Sequence, residues 1–129
     1  VPRRHALGLA AVLFTALALE LFRRVWFEPR AIGLACLHAT APSLICATRT
    51  GIGLLTHFQV FGAAALVLGI LAFATARFTL AVLAVCVGVA GLIDYNISWG
   101  MLGAALGGWT WLSDATRGTA QPLGIRMPP

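Results

Sequence analysis

Two cysteines and a histidine stand close together in the run CLHATAPSLIC, residues 36–46, and are the residues best equipped for chemistry in this chain. Thiols ten positions apart, with a proline and short polar residues between them, can meet where the chain reverses. A disulfide requires Cα atoms roughly 4.4–6.8 Å apart. We expect Cys36 and Cys46 to be bonded to each other. Closing a loop of about eleven residues contributes on the order of 2–3 kcal/mol in the chain-entropy model. Three other readings stay open: two unpaired thiols, a redox-active pair, or a metal site on Cys36, His38 and Cys46. The last lacks a nearby fourth ligand, and C-x-H-x7-C is not a standard zinc spacing, so no metal is expected.

Glu20 is an acid inside an apolar run, which marks a candidate polar site because charge is costly in lipid. It precedes Arg23 and Arg24 by three and four residues, on the same helix face. An interfacial ion pair is therefore the plain expectation, and proton or ion traffic the sharper one. His57 and Gln59 open the second apolar run, where they suit interfacial or interhelical hydrogen bonds. A single axial ligand to a haem or chlorophyll of a larger assembly is the alternative for His57. His5 is terminal and His38 lies in a loop, so no second span offers the partner of a bis-histidine haem. Cys86 falls mid-span and reads as a small packing residue; Asp94 and Asp114 read as boundary residues. No phosphate loop, Ser/His/Asp set, H-E-x-x-H motif or acid–base carboxylate pair is present.

The elements that must carry these residues follow from composition. Of 129 residues, 60% are hydrophobic and 10% charged, with a mean hydropathy of +0.91. Soluble domains carry about 25% charged residues, so the expectation is an all-α integral membrane protein. The net charge of +5 comes from arginine alone. The arginines are scattered between apolar runs like membrane-boundary anchors, not gathered on a basic face, which argues against nucleic acid as a partner.

Four transmembrane helices are expected, over residues 6–22, 51–76, 78–93 and 97–112, in one domain covering the chain. Crossing a roughly 30 Å hydrocarbon core takes about 20 helical residues. The third and fourth runs therefore need Arg77, Asp94, Tyr95, Asn96 and Ser113 in their helices or caps, with Asn96 as an N-cap. Tyr95 and Trp99 suit one aromatic belt, Trp109 and Trp111 the other. The first run reads as a retained signal-anchor helix, because no A-x-A cleavage site follows it. Between the first two spans, residues 23–50 form a loop. In it, a short interfacial helix over about 29–40 is broken before Pro42, and the second span can begin as early as Ser43. Residues 113–129 form a tail.

Small residues recur at helix-packing intervals: Ala65 and Gly69; Ala84, Gly88 and Gly91; Gly100, Gly103 and Gly107. In lipid, close backbone approach is a main source of helix association. These stripes are expected to pack the helices, with a face left over for a partner. Arginines divide almost evenly between the two sides, so orientation rests on the cysteine pair, which belongs in an oxidising compartment. That places both termini in the cytoplasm (N-in, C-in) and the Cys36–Cys46 loop in the periplasm of a bacterial inner membrane.

Four helices with loop cysteines resemble, in outline, the membrane thiol oxidases that form disulfide bonds. The close C-x-x-C pair and second loop pair of that family are absent here. The leading expectation is a small accessory or structural subunit of a larger inner-membrane complex, respiratory or photosynthetic, with no catalytic activity of its own. Its partners are other membrane subunits and lipid. It has no cofactor of its own, though it can hold a lipid, quinone or pigment of the host complex. The alternatives are a thiol–disulfide or quinone-linked redox enzyme using Cys36 and Cys46, and a small transporter or channel component using Glu20.

Overall fold

The computed structural model describes residues 3–40, 42–93 and 97–120, and these are helical nearly throughout, with no strand among them. Helix α1, Arg3–Phe22, is rich in alanine and leucine, the strongest helix formers, and spans about 30 Å at 1.5 Å per residue. It continues into a π-helical turn, Arg23–Phe27, in which the Glu28 N–H donates to the Arg23 carbonyl five residues back at 2.9 Å. Helix α2, Arg30–Leu37, follows Pro29. It ends with Ala39 in the left-handed region (φ 54°), where the Thr40 N–H reaches the Ala35 carbonyl at 2.9 Å. That is the usual way a helix end satisfies its last carbonyls, here with alanine where glycine is cheaper.

Pro42 then opens α3, Ser43–His57. The chain breaks at Phe58 and Gln59, with Gln59 left-handed at φ 54°, and α4 resumes over Val60–Thr75 at 58° to α3. The expected second span over 51–76 is therefore not one helix. It starts at Ser43 and bends, because a residue in the left-handed region cannot propagate a right-handed helix. Helices α5, Phe78–Ile93, and α6, Ile97–Ala120, complete the chain. The expected turn at Asp94, Tyr95 and Asn96, and the last part of the tail, lie outside the described residues.

Helices α4, α5 and α6 pack on one another, and α1 lies against α5. At one end His5 of α1 meets Phe78 of α5, with ring centroids 5.0 Å apart. At the other, Arg23 Nη1 donates to the Ile93 carbonyl at 3.0 Å. Helices α1 and α5 thus run side by side in the same direction, while α4 and α6 return. The α2–α3 pair forms an arm at the Arg23 end, touching the rest only lightly.

The core is made of the smallest side chains. Ala65, Ala72, Ala81 and Ala84 are 0% exposed, and among the described residues no large side chain is fully buried. Large apolar groups face outward instead, from Phe14 at 75% exposed to Leu37 at 81%. By length and apolar composition, Arg3–Phe27 is a candidate membrane span, and the bent α3–α4 pair is a second if taken as one span. Helix α5 is apolar but has 16 residues, about 24 Å. By length and apolar composition the described helices thus offer one or two candidate spans, not the four expected.

Candidate functional site

The cysteine pair lies in the arm. Cys36, in the last turn of α2, is disulfide-bonded to Cys46, in the first turn of α3, with Cα atoms 5.6 Å apart. The reversal at Ala39 and Pro42 brings the two helix ends into reach. Cys86 of α5 is a free thiol. Among the described residues no group of three His, Cys, Asp or Glu side chains converges as a metal site.

The small residues lie at helix contacts, most of them between backbones. A Cβ added at Gly103 would run into the Ala65 backbone, and one at Gly69 would lie 2.7 Å from the Gly103 carbonyl oxygen. At Gly88 it would lie 2.7 Å from the Gly100 oxygen, and at Gly107 2.8 Å from the Ala81 oxygen. Ala84 is buried beside Gly107, and Gly91 is buried against Gly100. These positions pack against the molecule's own helices. Gly108 faces open space instead, as do Gly51 and Gly53 on α3.

Glu20 is paired as its spacing implies. Its carboxylate accepts a hydrogen bond from Arg24 Nε at 2.7 Å and lies 4.0 Å from Arg23 Nη1. Arg23 also donates to Glu28 from Nε at 2.8 Å. His57 is exposed at the end of α3 with its ring edge-on to Phe58, 5.3 Å away. Nothing brings His57 and Glu20 together.

The most constrained polar cluster involves residues that the spacing of motifs passes over. His5 is 6% exposed. Its Nδ1 accepts a hydrogen bond from Trp111 Nε1 at 2.9 Å. An indole N–H can only donate, so Nδ1 presents its lone pair and the ring proton sits on Nε2. That nitrogen faces Asp114 Oδ2 at 3.6 Å, beyond hydrogen-bond reach. Arg4 Nη2 approaches the same oxygen at 3.0 Å, as an ion pair outside hydrogen-bond alignment, since Asp114 Oδ2 and His5 Nε2 are both buried without a hydrogen-bond partner.

Gly8 makes this possible: a Cβ there would lie 2.9 Å from the Trp111 ring. Phe78 closes the cluster edge-on to Trp111 at 5.6 Å. Trp111, expected in an aromatic belt, is turned inward. A lone histidine near a chain start offers no periodic signal, and only the meeting of α1 with α6 reveals its role. The one sequence cue is that Trp111 and Asp114 lie three residues apart on one helix face.

Arg4, His5, Trp111 and Asp114 can lock α1 onto the bundle. No family model matches the chain, and neither a curated protein nor a solved structure is significantly similar to it.

Proposed function

We propose that this chain is an integral membrane protein serving as a small structural subunit of a larger assembly. The observation that carries this reading is its inverted interior: alanine and glycine inside, leucine, phenylalanine and tryptophan outside. Water drives large apolar side chains inward, and monomeric soluble proteins rarely expose broad apolar patches. Lipid exerts no such drive, so helices there associate through small residues and close backbones. In such a bilayer all four long helices cross, the short ones with help from flanking residues or local thinning.

The bacterial inner membrane, and within it a respiratory or photosynthetic complex, is the setting we favour. The disulfide lies at the end of α1 opposite Arg4. If α1 crosses, the bond faces the compartment that the N-terminus does not. An oxidising periplasm for the arm and a cytoplasmic N-terminus satisfy both. The arm, stapled and lightly attached, is the part best placed to reach a partner subunit.

Two measurements test the proposal. Alkaline carbonate washing should leave the chain in the membrane pellet; its release into the wash overturns the membrane reading. Native mass spectrometry after gentle solubilisation should find it with larger subunits. A monodisperse, partner-free chain overturns the subunit reading and leaves the membrane reading standing.

A further inference from the structure

The π-helical turn at the end of α1 displaces Trp26 and Phe27 from the regular helical path, and such bulges frequently occur at functional sites. Between this turn and α3 lies a cleft of about 430 Å³, walled by Phe22, Trp26 and Phe27 on one side and Leu44 and Ile45 on the other. That volume is within the usual range of ligand pockets, roughly 300–1,000 Å³. A second cleft of about 410 Å³ lies between α2 and α3, beside Leu37 and the disulfide. Phe27 and Arg49 line both.

Arg49 is the only charged residue in either lining. Its guanidinium lies over the Phe27 ring, 5.6 Å from the centroid, and donates one long hydrogen bond of 3.4 Å to the Pro29 carbonyl. Gly33 leaves room for it: a Cβ there would lie 3.2 Å from Nη2. Among the described residues no carboxylate pairs with Arg49. The two nearby acids are engaged elsewhere, Glu20 with Arg24 and Glu28 with Arg23. A guanidinium has five donors, and a half-buried cation is costly until an anion meets it. A phosphate oxygen pair matches the planar fork.

We propose that the two clefts hold the acyl chains of an anionic phospholipid whose phosphate is taken by Arg49. The apolar walls on both sides of the cation call for tails, which a free phosphate lacks. The headgroup is anionic, not zwitterionic, because Arg49 is the one charge lining the clefts and Glu20 and Glu28 are already paired with Arg24 and Arg23. Among the described residues at this end no acid is left to receive a choline ammonium. The inference rests on the membrane reading above.

The test uses the full chain, purified in detergent and delipidated, with native mass spectrometry to count bound phosphatidylglycerol, phosphatidylcholine or inorganic phosphate. Wild type should bind phosphatidylglycerol about tenfold more tightly than phosphatidylcholine, the scale of a charged hydrogen bond. Arg49→Gln should abolish that preference, whereas Arg24→Gln, at a side chain 71% exposed, should keep it. Ile45→Trp, which fills the first cleft, should weaken both lipids and leaves Arg49 intact; it decides the matter if Arg49→Gln does not fold by circular dichroism. Equal binding of the two lipids, or an unchanged Arg49→Gln, overturns the proposal. Inorganic phosphate competing as well as phosphatidylglycerol also overturns it, in favour of a free-anion site. If the chain resists carbonate yet shows no lipid preference, the site alone fails; if it washes off the membrane, the reading beneath it fails.

Discussion

Trp111 Nε1 donates to His5 Nδ1 at 2.9 Å across 106 positions of sequence, tying the start of α1 to the second half of α6. Because this bond is made inside the bundle end, losing the donor leaves a buried imidazole acceptor unsatisfied. Trp111→Phe should therefore destabilise the fold by about 1–2 kcal/mol. With His5→Ala it should show a coupling of about 0.5 kcal/mol or more in a double-mutant cycle read by unfolding in detergent. Strict additivity would mean the two residues do not act together.

Glycine substitutions should split by position. Gly103→Ala drives a Cβ into the Ala65 backbone, and Gly8→Ala presses on the rigid Trp111 ring. Each should cost about 1–3 kcal/mol through overpacking. Gly108→Ala meets open space and should stabilise by about 0.5–1 kcal/mol, the helix preference for alanine. Thermal melts of the three variants side by side check the signs.

Non-reducing peptide mapping should recover Cys36 and Cys46 as one crosslinked species. Replacing both with serine should loosen the arm by on the order of 2–3 kcal/mol, because α2 and α3 have little other support. Hydrogen exchange should then rise across 43–57 while 78–93 and 97–112 stay protected. Uniform loss of protection would show that the staple holds the whole molecule.

Ala76 closes α4 in the left-handed region at φ 50°. A Cβ there costs energy that glycine avoids, so Ala76→Gly should stabilise by about 0.5–1 kcal/mol. A lower melting point would place the cap outside this conformation.

Glu20→Gln removes a half-exposed ion pair with Arg24, 2.7 Å across. The expected change in stability is below about 1 kcal/mol. Proton uptake into reconstituted vesicles should match wild type; its loss with the fold intact would restore a traffic role for Glu20.

Composition and period alone determined that this chain is helical, where its long apolar runs lie, that α2 stops before Pro42, and that Cys36 and Cys46 are placed to bond. Glu20 with its arginines was legible too, because partners three and four residues apart share a helix face whatever the tertiary fold. These are local properties. Tertiary structure alone decided the rest. The break at Phe58 and Gln59 carries no proline or glycine to announce it, and the small-residue stripes do not say whether they face a partner or one another. Trp111 reads equally well as a belt residue until α1 is docked on the bundle. His5, Trp111 and Asp114 meet only because helices returning from opposite ends of the chain end at the same height. Contacts between residues a hundred positions apart leave no period in a single sequence.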